Sequence, residues 1–145
     1  MESHLVLDDF LPYRISVLAA GMSQKLARIY GGRFGISIPE WRVLAHLSQA
    51  PRISVRDIHA RVDMDKSKVS RAVMRLESAG NVDKQIDPID RRLVVLSLTA
   101  KGKKLFSEIA ALALVFEQEA LSCLSLSDLA TFKFAVSQLT AKLDK

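Results

Sequence analysis

A mainly α fold carrying a single β-hairpin is what this sequence predicts, and three observations carry that expectation. Apolar residues recur at helical spacing through six separate segments. Ser37, Ser54 and Ser125 each stand three residues before a carboxylate, the arrangement that caps a helix N-terminus. One stretch, residues 82–98, turns instead to β-branched and aliphatic residues on both sides of Pro88-Ile89-Asp90-Arg91.

The first helix is expected from about Asp9 to Tyr30, where Leu11, Ile15, Leu18, Met22, Leu26 and Ile29 share a face. Asp8 or Asp9 would cap it, Pro12 suits its first turn, and Gly31-Gly32 with Gly35 would end it. Ser37-Ile38-Pro39-Glu40 opens a second, shorter helix carrying Trp41, Leu44 and Leu47, and Pro51 closes it. Ser54-Val55-Arg56-Asp57 opens a third, with Val55, Ile58 and Val62 on one side. Asp63-Met64-Asp65 is then a tight connection into a fourth helix from about Lys66 to Ala79, with Gly80 as its left-handed terminator. The hairpin pairs residues 82–87 with 93–98. Thr99 starts a long helix and Ser125 starts the last one.

Composition narrows the function. With 145 residues, 49% of them hydrophobic and 26% charged, the chain has material for one folded domain and too little for two. One cysteine excludes an internal disulfide framework. The stretch MESHLVLDDF has neither a basic region nor an apolar run, and nowhere do the roughly 20 apolar residues of a membrane span occur in succession. A cytoplasmic protein without a membrane partner is therefore expected. The net charge of +5 permits a polyanionic partner without proving one.

Residues 66–79 are the most informative segment. At 100° per residue Val69, Ala72, Val73 and Leu76 gather on one side. Lys68, Arg71 and Arg75 fall on another, with Ser67, Ser70 and Met74 beside them. A helix of this kind packs by its apolar stripe and offers cations and short hydroxyls, which suit guanine edges and phosphates in a major groove. An isolated amphipathic helix would more simply be a solvated surface. The preceding short helix and turn give it helix-turn-helix proportions, however, and the hairpin that follows carries Arg91 and Arg92 at its tip. A ribbon presenting arginine can reach a narrow minor groove. Ten Lys/Arg against seven Asp/Glu between Arg52 and Arg92 put +3 of the charge in this region.

The run Asp87-Pro88-Ile89-Asp90-Arg91-Arg92-Leu93-Val94-Val95-Leu96-Ser97-Leu98-Thr99-Ala100-Lys101-Gly102 resembles the wing signature of the MarR-type regulators, an Asp-x-Arg turn and a strand ending in Leu-Thr-x-x-Gly. Residues 67–80 are similar to that family's recognition helix. The resemblance implies a mainly α winged helix-turn-helix protein with a β-hairpin wing, plus N- and C-terminal dimerisation helices. As one domain over 1–145, its DNA-binding part would span about 37–98 and its dimerisation helices about 9–33 and 99–145. Carried over by position, Ser67, Lys68, Ser70 and Arg71 would approach base edges and Arg75 a phosphate. Arg92 would enter the minor groove, Asp90 would orient the turn by pairing with arginine, and Arg91 is a second tip candidate. Asn81 departs from the family, which usually has a bulky apolar residue there, and Lys84 stands where arginine is frequent.

The implied partners are double-stranded DNA, a second copy of the chain, and a small aromatic or phenolic effector. Tyr13, Trp41 and Arg42 are weak candidates to border its site. Two apolar stripes, one through Leu105, Ile109, Leu112 and Phe116 and another through Leu129, Phe132, Val136, Leu139 and Leu143, exceed what one small core can bury. No cofactor, metal or catalysis is expected: His4, His46 and His59 are scattered, and no nucleophile elbow, phosphate loop or carboxylate pair occurs. Cys123 reads as a small packing residue, and the first helix lacks the cysteine with which some family members sense oxidants. A winged helix that bound only protein would instead favour an apolar or acidic wing, and a small hydrolase would need a cleft with perturbed titrating groups.

Overall fold

The computed structural model describes residues 3–62 and 64–144. After a single 3-10 turn at Leu7–Asp9, the elements run α1 (Leu11–Phe34), α2 (Ile38–Ser48), β1 (Ile53–Ser54), α3 (Val55–Arg61) and α4 (Lys66–Ser78). Strands β2 (Val82–Ile86) and β3 (Val94–Leu98) follow, then α5 (Ala100–Leu121) and α6 (Leu126–Leu143). Mainly α with a hairpin is the fold observed. The chain divides within α5 into one unit ending at Ala110 and a second beginning at Ala111.

Local chemistry sets most of the helix ends. The Ser37 hydroxyl accepts from the Glu40 N–H at 3.3 Å and donates to Glu40 Oε1 at 2.8 Å. Ser54 and Ser125 accept from the N–H of Asp57 and of Asp128, each at 3.0 Å. Gly35 (φ 67°) and Gly80 (φ 80°) end α1 and α4 in the left-handed region, where a Cβ would be strained. Two expectations need correction. Neither Asp8 nor Asp9 caps α1; Phe10 holds that position without a side-chain bond, because a 3-10 turn takes up both aspartates. Gly31-Gly32 do not stop α1, which runs on to Phe34, since glycine in a helical conformation only weakens a helix. Asp63, in the tight connection before α4, lies outside the described residues.

In the first unit α2, α3 and α4 surround one core. Val43, Leu44 and Leu47 of α2 meet Ile58 of α3 and Val69, Ala72, Val73 and Leu76 of α4. Leu96 from the sheet and Ile109 from α5 close it. All four residues of the expected α4 stripe are buried, a side of the helix worth about 1.5–3 kcal/mol for each larger side chain. The sheet has the order β1-β3-β2, antiparallel throughout, with Ile53 opposite Leu96 and Val82 opposite Leu98. Strand β1 was not expected from sequence: two residues show no alternation, and only pairing with β3 makes them a strand.

The end of α4, the start of β2 and the start of α5 meet at one knot. Thr99 Oγ1 donates to the Gly80 carbonyl at 2.6 Å and accepts from the Gly102 N–H at 3.0 Å. The Thr99 N–H reaches the Asn81 carbonyl at 3.1 Å, and Lys101 Nζ donates to the Ala79 carbonyl. Gly102 lies so close to Asn81 that an added Cβ would overlap its carbonyl oxygen and sit 2.9 Å from its carbonyl carbon. Asn81 itself is 4% exposed, and its Oδ1 has no protein partner.

In the second unit α6 has no buried residue, and Phe132, Val136, Leu139 and Leu143 are exposed, as Phe134 is on its other side. Cys123, expected in packing, is exposed, because it falls in the connection after α5 rather than on an apolar face.

Gly102→Ala should lower unfolding stability by about 1–3 kcal/mol in urea, since backbone rather than a pliant side chain opposes the new methyl group. Gly32→Ala, where nothing lies within 4 Å of the added Cβ, should raise it by about 0.5–1 kcal/mol. Asn81→Leu, which removes a buried unpaired oxygen, should raise the midpoint of thermal unfolding in the same protein.

Candidate nucleic-acid interface

Helix α4 presents opposite its buried stripe the face that its periodicity requires. Ser67, Lys68, Ser70, Arg71, Met74 and Arg75 are all exposed, and Met74 is 62% so. Arg71 Nε donates to the Ser67 carbonyl at 3.3 Å, which lays the guanidinium along the first turns of the helix. Arg75 points the other way, with Nη1 at 3.9 Å from Glu40 Oε1. The Arg75 side chain is 64% exposed while that of Glu40 is 9% exposed, so the carboxylate is the fixed partner and the guanidinium the adjustable one. A pair this long and this wet contributes little to stability. Its consequence is positional, because it links the last turn of α4 to the start of α2.

The hairpin tip is built by two aspartates. Asp87 Oδ1 accepts the N–H of Ile89 at 2.8 Å and of Asp90 at 3.3 Å, an Asx turn that Pro88 stiffens. The turn closes with the Asp87 N–H on the Leu93 carbonyl and the Leu93 N–H on the Asp90 carbonyl, each at 3.0 Å. Asp90 then receives Arg92 through both carboxylate oxygens: Nε at 3.1 Å on Oδ1 and Nη2 at 3.2 Å on Oδ2. The Arg92 backbone N–H adds a third bond at 3.1 Å. This side-chain pairing holds the Asp90 carboxyl below its ordinary range, with the backbone bond and the nearby Arg56 charge adding to the effect. The Arg92 side chain is 90% exposed, so a planar cation is held in one orientation while facing solvent. Arg91 is exposed beside it, and Ile89 is 96% exposed at the same tip.

Of the residues singled out in the sequence, the eight on α4 and the tip therefore lie at the surface of two neighbouring elements. The expected pairing of Asp90 falls on Arg92. Sequence reasoning missed Asp87 as the turn's builder, although Asp-Pro before a hairpin is a turn signal. It also missed Arg56 and Glu40. Arg56 lines a cleft of about 300 Å³ with Asp90 and Arg92, and Glu40 reaches α4 from 35 positions away in the chain. Neither contact has a local signature.

Tyr13, Trp41 and Arg42 do not gather at one place in a single chain. Trp41 is stacked between Tyr30 and Phe106, with ring centroids 5.6 and 5.4 Å away. Arg42 lies near Tyr30, whose phenol burial raises above its usual range while the Arg42 charge offsets part of the rise. Tyr13 is 41% exposed and sits about 25 Å from Tyr30 along α1. Among the described residues no three His, Cys, Asp or Glu side chains converge as metal ligands. No single helix among them is long and apolar enough to cross a membrane.

Arg92→Ala should raise the Asp90 carboxyl toward its ordinary range without restoring it fully, since the backbone N–H at position 92 and the Arg56 charge remain, followed by carbon-13 NMR titration. The sign follows from the depression. The pair's contribution is complete above the unfolded value and lost only as pH falls through the lowered folded one, so the wing geometry should not change between pH 5 and 8.

Comparison with known proteins agrees with this geometry. Residues 36–94, from the loop before α2 to the first residue of β3, match the model of the MarR family. A transcriptional regulator, YdgJ of Bacillus subtilis, is 32% identical over 85 residues, which are 56% of this chain and 52% of YdgJ. The regulator BilQ of Clostridium symbiosum is 29% identical over 90 residues, 62% of each chain. The chain thus spans between half and two thirds of the length of these two relatives. Both relatives are named regulators and neither an enzyme. Among solved structures, a MarR/EmrR family transcriptional regulator from Acinetobacter sp. ADP1 superposes with a TM-score of 0.84 at 27% identity, covering 97% of this chain and 99% of that one. A mutant MarR from E. coli complexed with operator DNA shares the fold, with a TM-score of 0.80 at 22% identity over 94% of this chain and 99% of that one. The wing signature, the helix-turn-helix geometry and these likenesses converge: residues 36–94 match the MarR family, and the fold of the chain is similar to that of a MarR/EmrR family transcriptional regulator.

Proposed function

We propose that this chain is a sequence-specific transcriptional regulator that binds a pseudo-palindromic operator as a homodimer and acts as a repressor relieved by a small ligand. One observation carries the DNA-binding reading: the exposed hydroxyl and cation face of α4 adjoins a wing tip whose arginine is held outward by Asp90. Ser67, Lys68, Ser70 and Arg71 meet base edges in the major groove, and Arg75 meets a phosphate. Arg92, with Arg91 beside it, enters the adjacent minor groove, where negative potential concentrates. That a MarR from E. coli was solved with operator DNA supports the same partner for this chain.

The homodimer reading rests on apolar surface that a single chain leaves open. Leu11, Ile15 and Leu18 on α1 are 61, 51 and 52% exposed, and Leu139 and Leu143 on α6 are 54 and 81% exposed. Faces of this kind mark an interface. A two-fold pair would set its recognition helices about 34 Å apart, one turn of DNA. The effector reading is drawn from the family: an aromatic or phenolic molecule bordered by Trp41 and Arg42, with Tyr13 supplied by the second copy. The site of action is the bacterial cytoplasm, on the nucleoid when bound.

The test uses a duplex recovered by genomic footprinting and fluorescence anisotropy at several salt concentrations. Arg71→Ala and Arg92→Ala should each cost about 1–3 kcal/mol of binding. Arg75→Ala should weaken all duplexes alike and reduce the slope of log affinity against log salt by about 1. Affinity unchanged in the Arg71→Ala, Arg92→Ala double variant would remove this surface from the readout.

A further inference from the structure

We infer that residues Leu5–Phe10 of one chain dock in a cleft of a second copy, a step that rests on the homodimer reading above. The cleft, about 710 Å³, opens between the end of α2, the loop into β1, the end of β3 and the first turns of α5. Leu47, Leu98 and Phe106 give it an apolar wall, Arg52 and Lys103 give it two cations, and no carboxylate lines it. Among the described residues neither cation has an ion-pair partner.

The segment before α1 has the complementary chemistry. Leu5, Val6, Leu7 and Phe10 are 60, 49, 48 and 42% exposed, and Asp8 and Asp9 stand exposed among them. Apolar residues this open beside paired acids are unsuited to free solution and suited to an apolar cleft with a basic rim. Their own chain does not cover them, since every residue from 3 to 20 is exposed. Nor can it bring them to its own cleft. Phe106, in the cleft wall, stacks on Trp41, and Trp41 stacks on Tyr30 at the far end of α1. Leu11 is 19 residues from Tyr30 on one unbroken helix, which holds the end of the segment about 28 Å from Tyr30. The cleft it can enter belongs to another copy, and there it would seal space that a small anionic molecule could otherwise take.

Sedimentation equilibrium and dye fluorescence on the full chain test this. Asp8→Lys with Asp9→Lys should raise the dimer Kd at least tenfold, Arg52→Glu with Lys103→Glu should do the same, and all four together should recover most of the loss. Recovery also shows that the variants fold. Energy transfer from Trp41 to anilinonaphthalene sulfonate, an anionic amphiphile, should be weak in the unaltered dimer and strong in the Asp8→Lys, Asp9→Lys variant. If the chain dimerises and neither charge pair changes its Kd, docking is wrong and the dimer stands. If the dye enters the unaltered dimer as readily as the variant, the cleft is an open small-anion site and docking is wrong. A monomeric unaltered chain would overturn the homodimer reading together with this one.

Discussion

The knot around Thr99 is the constraint on which the placement of α4, the hairpin and α5 depends. One hydroxyl donates to Gly80, just past α4, and accepts from Gly102, in the first turn of α5. The N–H of the same residue holds Asn81, the residue that leads into β2. Helix α4, the hairpin and helix α5 therefore share a single point of reference. Only glycine at 102 lets α5 come this close, because the Asn81 carbonyl fills the space of a Cβ. A rotation of α5 about this knot must move the end of α4 and the base of the wing with it.

Charge is used sparingly and by position. The net excess between Arg52 and Arg92 is small and by itself implies no polyanionic partner. What distinguishes the surface is that its cations are oriented. Asp90 presents Arg92 through three bonds, and the Ser67 carbonyl lays Arg71 along α4. Each acidic or carbonyl partner restricts a flexible side chain before any ligand arrives, which lowers the ordering cost of binding. The price is weaker net positive potential.

Much of the fold was legible in the sequence because its determinants are local. The α4 stripe of Val69, Ala72, Val73 and Leu76 is buried as its 3.6-residue period requires, and the serine caps at 37, 54 and 125 bond where their spacing puts them. The hairpin and its Asp90–arginine pairing were legible through turn residues and the family resemblance. The errors were local too, at α1, where aspartates suited to capping entered a 3-10 turn and two glycines failed to stop the helix.

Periodicity and capping chemistry by themselves determined which segments are helices, which face of α4 is wet, and that a hairpin displays arginine. Tertiary structure alone decided the rest, because it depends on groups far apart in the chain. Ile53 and Ser54 are a strand only against Leu96 and Val95. Glu40 meets Arg75, Arg56 approaches the wing, and Trp41 lies between Tyr30 and Phe106. A period records which way a side chain points from its own backbone. What it then meets is set by how the elements pack, and that information is spread over the whole chain.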